Sequence, residues 1–209
     1  MQDKRTHGED VQPSTGGANL ECLFTCQNIP VKVVSGLLNV CYFHKFSLVG
    51  QESLLAYGED PIEPLLIASA KQHEEFFQEL EHQSVQSCIA NMVGILVDVQ
   101  TPMSLLIDFK NSVVSISVPE DFLWNFSKDI AQADFQRLKA FAECCDDIAA
   151  KLRPVFGFLG TETLHTEDMR LDKAEQEGAF KVDDSFFSEE RLKELFDWYL
   201  NNYVRRWEE

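Results

Sequence analysis

The residues suited to chemistry in this 209-residue chain are six cysteines, five histidines and thirty-five carboxylates. Cys22 and Cys26 form C-x-x-x-C, a spacing that zinc ligands use. No C-x-x-C or H-x-x-x-H partner pair follows, and period-2 alternation alone puts both residues on one face of a strand. His73-Glu74-Glu75 opens like the helical zinc motif H-E-x-x-H, but the fifth position is Phe77. Glu79-Leu80-Glu81-His82 holds one E-x-x-H, where a di-iron bundle needs two such pairs and two further carboxylates. The expectation is therefore no metal and no cofactor.

Nucleophilic chemistry finds no complete motif either. There is no G-x-S-x-G elbow. Cys41 and His44 could serve as a thiol and base only if the fold pairs them, whereas their apolar surroundings suit a strand. Gly157-Phe158-Leu159-Gly160 has neither the spacing nor the lysine of a phosphate loop and suits a sharp turn at a strand end. Cys41, Cys88 and Cys145 lie in apolar patterns, where a free thiol acts as a small hydrophobe. The adjacent Cys144 and Cys145 make a strained bond pair. Residues 1–20 contain no hydrophobic run, so no secretory signal is visible. Reduced thiols and a cytoplasmic location are the expectation.

The elements that must position these residues follow from hydrophobic period and turn signals. Residues 1–20 predict a flexible tail, and 21–209 a single α+β domain. Cys22–Cys26, Val31–Val34 and Leu37–Leu48 are rich in β-branched and aromatic residues and predict strands. Asp60 as cap, Pro61 at the first position and the spacing of Leu65, Leu66, Ser69, His73, Phe76, Phe77 and Leu80 predict a helix ending near His82. Val85–Val99 predicts a strand bent at Gly94. Met103–Phe109 and Val113–Val118 flank Lys110-Asn111-Ser112 as a hairpin.

Phe135, Leu138, Phe141, Ala142, Cys145, Ile148, Ala149 and Leu152 form the apolar stripe of a helix capped by Asp134 and stopped by Pro154. Val155–Leu159 predicts a short strand and 161–184 a long polar loop. Ser188 predicts the cap of a last helix running to Trp207. Strands in runs rather than in strict alternation with helices predict an α+β fold. Its sheet is mostly antiparallel and packs with about three amphipathic helices.

Charge is the most informative feature. The net charge is −17. Between Phe46 and Ser127 two lysines, Lys71 and Lys110, stand against twelve carboxylates. This excludes a groove-reading nucleic-acid binder and disfavours an anionic membrane surface, both of which need a basic face. No apolar stretch reaches the ~18 residues of a membrane span. Two readings of the charge stand side by side: simple solubility, or steering toward a cationic partner.

The segment Ser104–Glu162 carries a family likeness. Its hairpin ends in Ser115-Ile116-Ser117-Val118-Pro119, then comes Phe122-Leu123, and the amphipathic helix runs into Ala149-Ala150-Lys151-Leu152-Arg153-Pro154-Val155-Phe156-Gly157-Phe158-Leu159-Gly160-Thr161-Glu162. This resembles immunity proteins of bacterial polymorphic-toxin systems, of the immunity protein 52 type, over about a quarter of the chain. The resemblance implies a non-enzymatic protein that blocks a cognate toxin by stoichiometric binding. Combined with the charge, it points to an acidic face set over the toxin's basic cleft. The candidate contacts are Glu59, Asp60, Glu63, Glu120 and Asp121, with Asp146 and Asp147 behind them. The alternatives are a nucleic-acid mimic acting against a defence enzyme, and an enzyme with an unrecognised carboxylate or cysteine site.

Overall fold

Alternation of apolar and polar side chains along successive strands sets the frame of the molecule. The computed structural model describes residues 19–123, 131–161, 180–182 and 188–197. In chain order these form β1 (Asn19–Thr25), α1 (Val33–Phe43), β2 (Ser47–Leu48), β3 (Leu54–Tyr57), β4 (Pro64–Ala68), α2 (His73–Leu80) and β5 (Ser87–Leu96). There follow β6 (Val99–Asp108), β7 (Val113–Pro119), α3 (Glu120–Leu123), α4 (Ala131–Leu152), β8 (Phe156–Thr161) and β9 (Phe180–Val182). Residues 189–197 are helical. The strands make one sheet in the order β4-β3-β5-β6-β7-β1-β8-β9, with β2 paired to β5. Every described pairing is antiparallel, so the fold is α+β.

Register explains why one face is covered. Ala68, Leu54, Ala90, Leu105, Ile116, Cys22 and Leu159 lie opposite one another across seven strands. All are buried. Onto this face pack Leu37, Leu38 and Cys41 of α1, Phe76 and Leu80 of α2, and the predicted stripe of α4. Side chains such as Phe24 and Phe141, fully buried here, each contribute about 1.5–3 kcal/mol by leaving water.

Several expectations hold. The β6–β7 hairpin forms as read, and Asp108 accepts hydrogen bonds from the Asn111 backbone and side chain. The α4 helix ends at Leu152, with Arg153 in the left-handed region at φ 51° ahead of Pro154. Cys22 shares its strand face with Leu20 and Phe24, and Cys26 is buried just beyond. The Ser188 hydroxyl accepts from Arg191 N–H at 3.3 Å, a helix cap.

Other expectations are corrected. Val33–Phe43 is a helix, not a strand, because Val34, Leu37, Leu38 and Cys41 fall at helical spacing and all reach the core. Packing there overrides the strand preference of its valines. The helix predicted from Asp60 to His82 is a strand and a shorter helix. Asp60 accepts from Ile62 N–H at 2.8 Å and closes a turn, and Pro64–Ala68 pairs with β3. The α2 helix starts only at His73.

Asp134 is not a cap but lies inside the first turn of α4. Gly94 is no bend: β5 pairs straight through it, and a Cβ there would sit 2.4 Å from the Phe46 ring. Gly157 lies within β8 rather than at a turn, where a Cβ would press on Phe24 and on the Leu23 carbonyl. Asn19 and Leu20 belong to β1; the rest of the predicted tail lies outside the described residues. Of the predicted loop over 161–184, Thr161 and residues 180–182 are strand, and 162–179 and 183–184 lie outside the described residues, as does the last helix beyond 197.

One buried cation ties the helices to the sheet. Arg137, with its side chain 4% exposed, donates to the Leu123 carbonyl, to Asp98 at 3.1 Å and to Asp134 at 2.6 Å. It thus joins α3, the β5–β6 turn and α4. Arg137→Met removes the cation that the buried Asp134 faces, so a loss of about 3–5 kcal/mol is expected. It is read as a lower urea midpoint at unchanged slope. Adding Asp134→Leu should restore most of that loss.

Candidate functional site

The β3–β4 hairpin and α2 carry eight exposed carboxylates with one lysine among them. The exposed acids elsewhere among the described residues are scattered over the β5–β6 turn, α3, α4 and residues 189–197. Glu52 lies just before β3, and Glu59, Asp60 and Glu63 lie in the connection to β4. Glu74, Glu75 and Glu79 lie on α2, and Glu81 just past its end. All eight are exposed, and Lys71 is the one lysine or arginine between Gln51 and His82. The α2 helix packs against β4 and β3, so these groups lie on neighbouring elements at the β4 margin of the sheet. Glu74 and Glu75 also lie in the first helical turn, where the macrodipole favours negative charge. A local reason thus supports carboxylates that repel one another.

The seven predicted contact residues fall in three places. Glu59, Asp60 and Glu63 stand together at this margin. Glu120 is corrected: it is only 3% exposed, because the strand-to-helix step at Pro119 turns its side chain inward, while its neighbour Asp121 is exposed. Asp146 is half-buried on α4. Asp147 is exposed but engaged, with its Oδ2 2.8 Å from Nε2 of His44. The sequence reading assigned no contact role to the acids of α2, nor to the exposed apolar residues Ile62, Leu65 and Ile67. The charge count over 46–127 already contained the former. The latter were hidden by the helix assigned to them.

The chemistry that the cysteines could carry is constrained by where they sit. All six are free and buried. His44 meets Asp147 rather than Cys41, whose thiol is hydrogen-bonded with Cys144 across the α1–α4 contact. Cys22 and Cys145 form a second hydrogen-bonded pair between β1 and α4. The bond to Cys41, then burial, pushes the Cys144 thiol up, and burial followed by the bond to Cys22 does so for Cys145. Thiolates, the nucleophilic form, are thereby suppressed.

Beside the His44–Asp147 pair lies a groove of about 550 Å³ lined by Gly36, Asn39, Val40, Phe43, Ala150 and Lys151. Among the described residues no three His, Cys, Asp or Glu side chains converge to hold a metal ion. No helix among them is long and apolar enough to cross a membrane. Comparison with protein-family models, curated proteins and solved structures finds no match.

Burial pushes the Cys88 thiol from 9.0 up to about 12. The unfolded chain therefore releases this proton first as pH rises. Stability from this group is fully present below about pH 9 and falls as pH climbs toward the folded value, by roughly 1.4 kcal/mol per pH unit. Urea unfolding at increasing alkaline pH should show the decline, and Cys88→Ala should make it shallower. Equal slopes in the two chains would contradict the protected thiol.

Proposed function

We propose that this protein is a non-catalytic immunity-type inhibitor. It binds a cognate bacterial toxin one to one in the cytoplasm and sets its acidic margin against a basic surface of that toxin. The observation that carries the reading is the gathering of eight exposed carboxylates around β3, β4 and α2, with Lys71 alone between them. Such a field raises encounter rates with a cationic partner by up to ~10²–10³ at low salt and rejects anionic surfaces. The likeness of Ser104–Glu162 to immunity families adds the kind of partner. Within the margin, Glu59, Asp60 and Glu63 on the hairpin and Glu74 and Glu75 on α2 are the contacts proposed. Asp147 is already paired with His44 and Glu120 is buried, so neither belongs to the set.

The test searches the genes flanking this chain's own for a toxin domain, where finding none counts against the reading, and expresses the one found together with the chain. The wild-type chain should restore growth. The association rate of the purified pair should fall with added salt. Glu59→Lys, Asp60→Lys and Glu63→Lys together should slow association by about tenfold at low salt while changing dissociation little. Killing that continues despite co-expression overturns the reading. So does a chain that displaces DNA from unrelated basic proteins, which would be the behaviour of a nucleic-acid mimic.

A further inference from the structure

The β4 strand ends the sheet. Its described partner is β3 alone, so its outward backbone N–H and C=O groups have no ladder to join among the described residues. Natural sheets usually blunt such an edge with charged side chains. Here Pro64 blunts only the first position, and Leu65–Ala68 carries no charge. Leu65 and Ile67 are 51% and 52% exposed, and Ile62 just before the strand is 83% exposed. Ile67 also begins a row of apolar side chains that continues in register through Leu55, Ile89 and Leu106 on the sheet face away from the core. Among the described residues the edge is therefore open in its backbone, and it is apolar in its side chains.

We propose that β4 receives an extended segment of a cationic protein partner as an added strand. The proposal rests on the inhibitor reading above and names its mode of contact. The surrounding charge selects the occupant. A second copy of this chain would bring Glu59, Asp60, Glu63 and the acids of α2 against their own equivalents, which like-charge repulsion disfavours. A strand that alternates apolar and basic residues fits both sides. Its apolar positions extend the Ile67–Leu55–Ile89–Leu106 row. Its basic positions fall on the side of α2, where Glu74, Glu75 and Glu79 are exposed. Backbone hydrogen bonds then supply affinity, and the carboxylates supply the choice of partner.

The test uses the whole chain and a synthetic peptide of alternating lysine and valine. Binding is followed by calorimetry, and amide exchange over 64–68 is followed in parallel. The expected result is saturable binding that slows exchange at Leu65–Ala68. The same peptide with alternate backbone nitrogens methylated keeps every charge and side chain but cannot join a ladder, and it should bind at least tenfold more weakly. Leu65→Lys with Ile67→Lys should weaken the parent peptide similarly while leaving the melting temperature of the free chain in place.

Equal binding of the methylated peptide overturns strand addition but leaves the acidic capture of a toxin intact. Absence of binding by the parent peptide overturns it as well. Amides at 64–68 already protected in the free monomer would show that another segment of this chain occupies the edge. A dimer dissolved by the two lysine substitutions would show that a second copy does. Either outcome overturns the proposal. Failure of toxin rescue with peptide binding preserved would instead overturn the inhibitor reading alone.

Discussion

Burial of one continuous face of the antiparallel sheet, from Ala68 to Leu159, is the constraint on which everything else rests. At β7, β1 and β8 the opposite face is buried as well, through Ser115, Glu21 and Phe158. Because side chains alternate along every strand, commitment of Cys22, Leu54, Ala90, Leu105 and Ile116 to the core commits their neighbours to the opposite face. A slip of one residue in any pairing would exchange the two sets. The helices α1, α2 and α4 gather on the apolar side, which leaves the β4 margin and the far face of β3, β5 and β6 accessible. The sorting of charge follows. Carboxylates of the hairpin and of α2 have no buried position open to them and project where the sheet ends.

Two sets of buried polar groups are matched by their neighbours. Arg137 reaches two carboxylates and a carbonyl, and the Ser115 hydroxyl donates to Glu21 where both are buried. The thiols are tolerated for a different reason. In their protonated form they are small and weakly polar, and their mutual hydrogen bonds satisfy what polarity they have. Cys22, Cys41, Cys144 and Cys145 share the junction of β1, α1 and α4, and the contacts there hold the Cys144 and Cys145 thiols in their protonated, unreactive form.

Much of this was legible in the residues. The alternation of Val114-Ser115-Ile116-Ser117-Val118 defines β7 because its valines and isoleucine all reach the core on one face, although Ser115 on the other face is buried too. The eight apolar positions between Phe135 and Leu152 define α4 because so long a stripe fits no strand. The α1 helix was not legible: Val33, Val34 and Val40 favour strand locally, and only the burial of Leu37, Leu38 and Cys41 reveals the helical face. Nor was β4, since Asp60 and Pro61 imitate a helix start while the run Leu65-Leu66-Ile67 reads equally as strand or buried helix. Glu59, Asp60 and Glu63 could be found by counting charge. The inward turn of Glu120 beside an outward Asp121 could not, because it depends on how the chain leaves β7.

The position of β1 has a consequence for synthesis. The first of the described strands lies between β7 and β8, pairing with Val113–Pro119 on one side and Phe156–Thr161 on the other. A nascent polypeptide leaving the ribosome exposes Leu20, Cys22 and Phe24 long before either neighbour has been translated. Contacts so distant along the chain close slowly. The junction of β7, β1 and β8 is therefore assembled late, and during elongation these apolar residues are a natural station for chaperones.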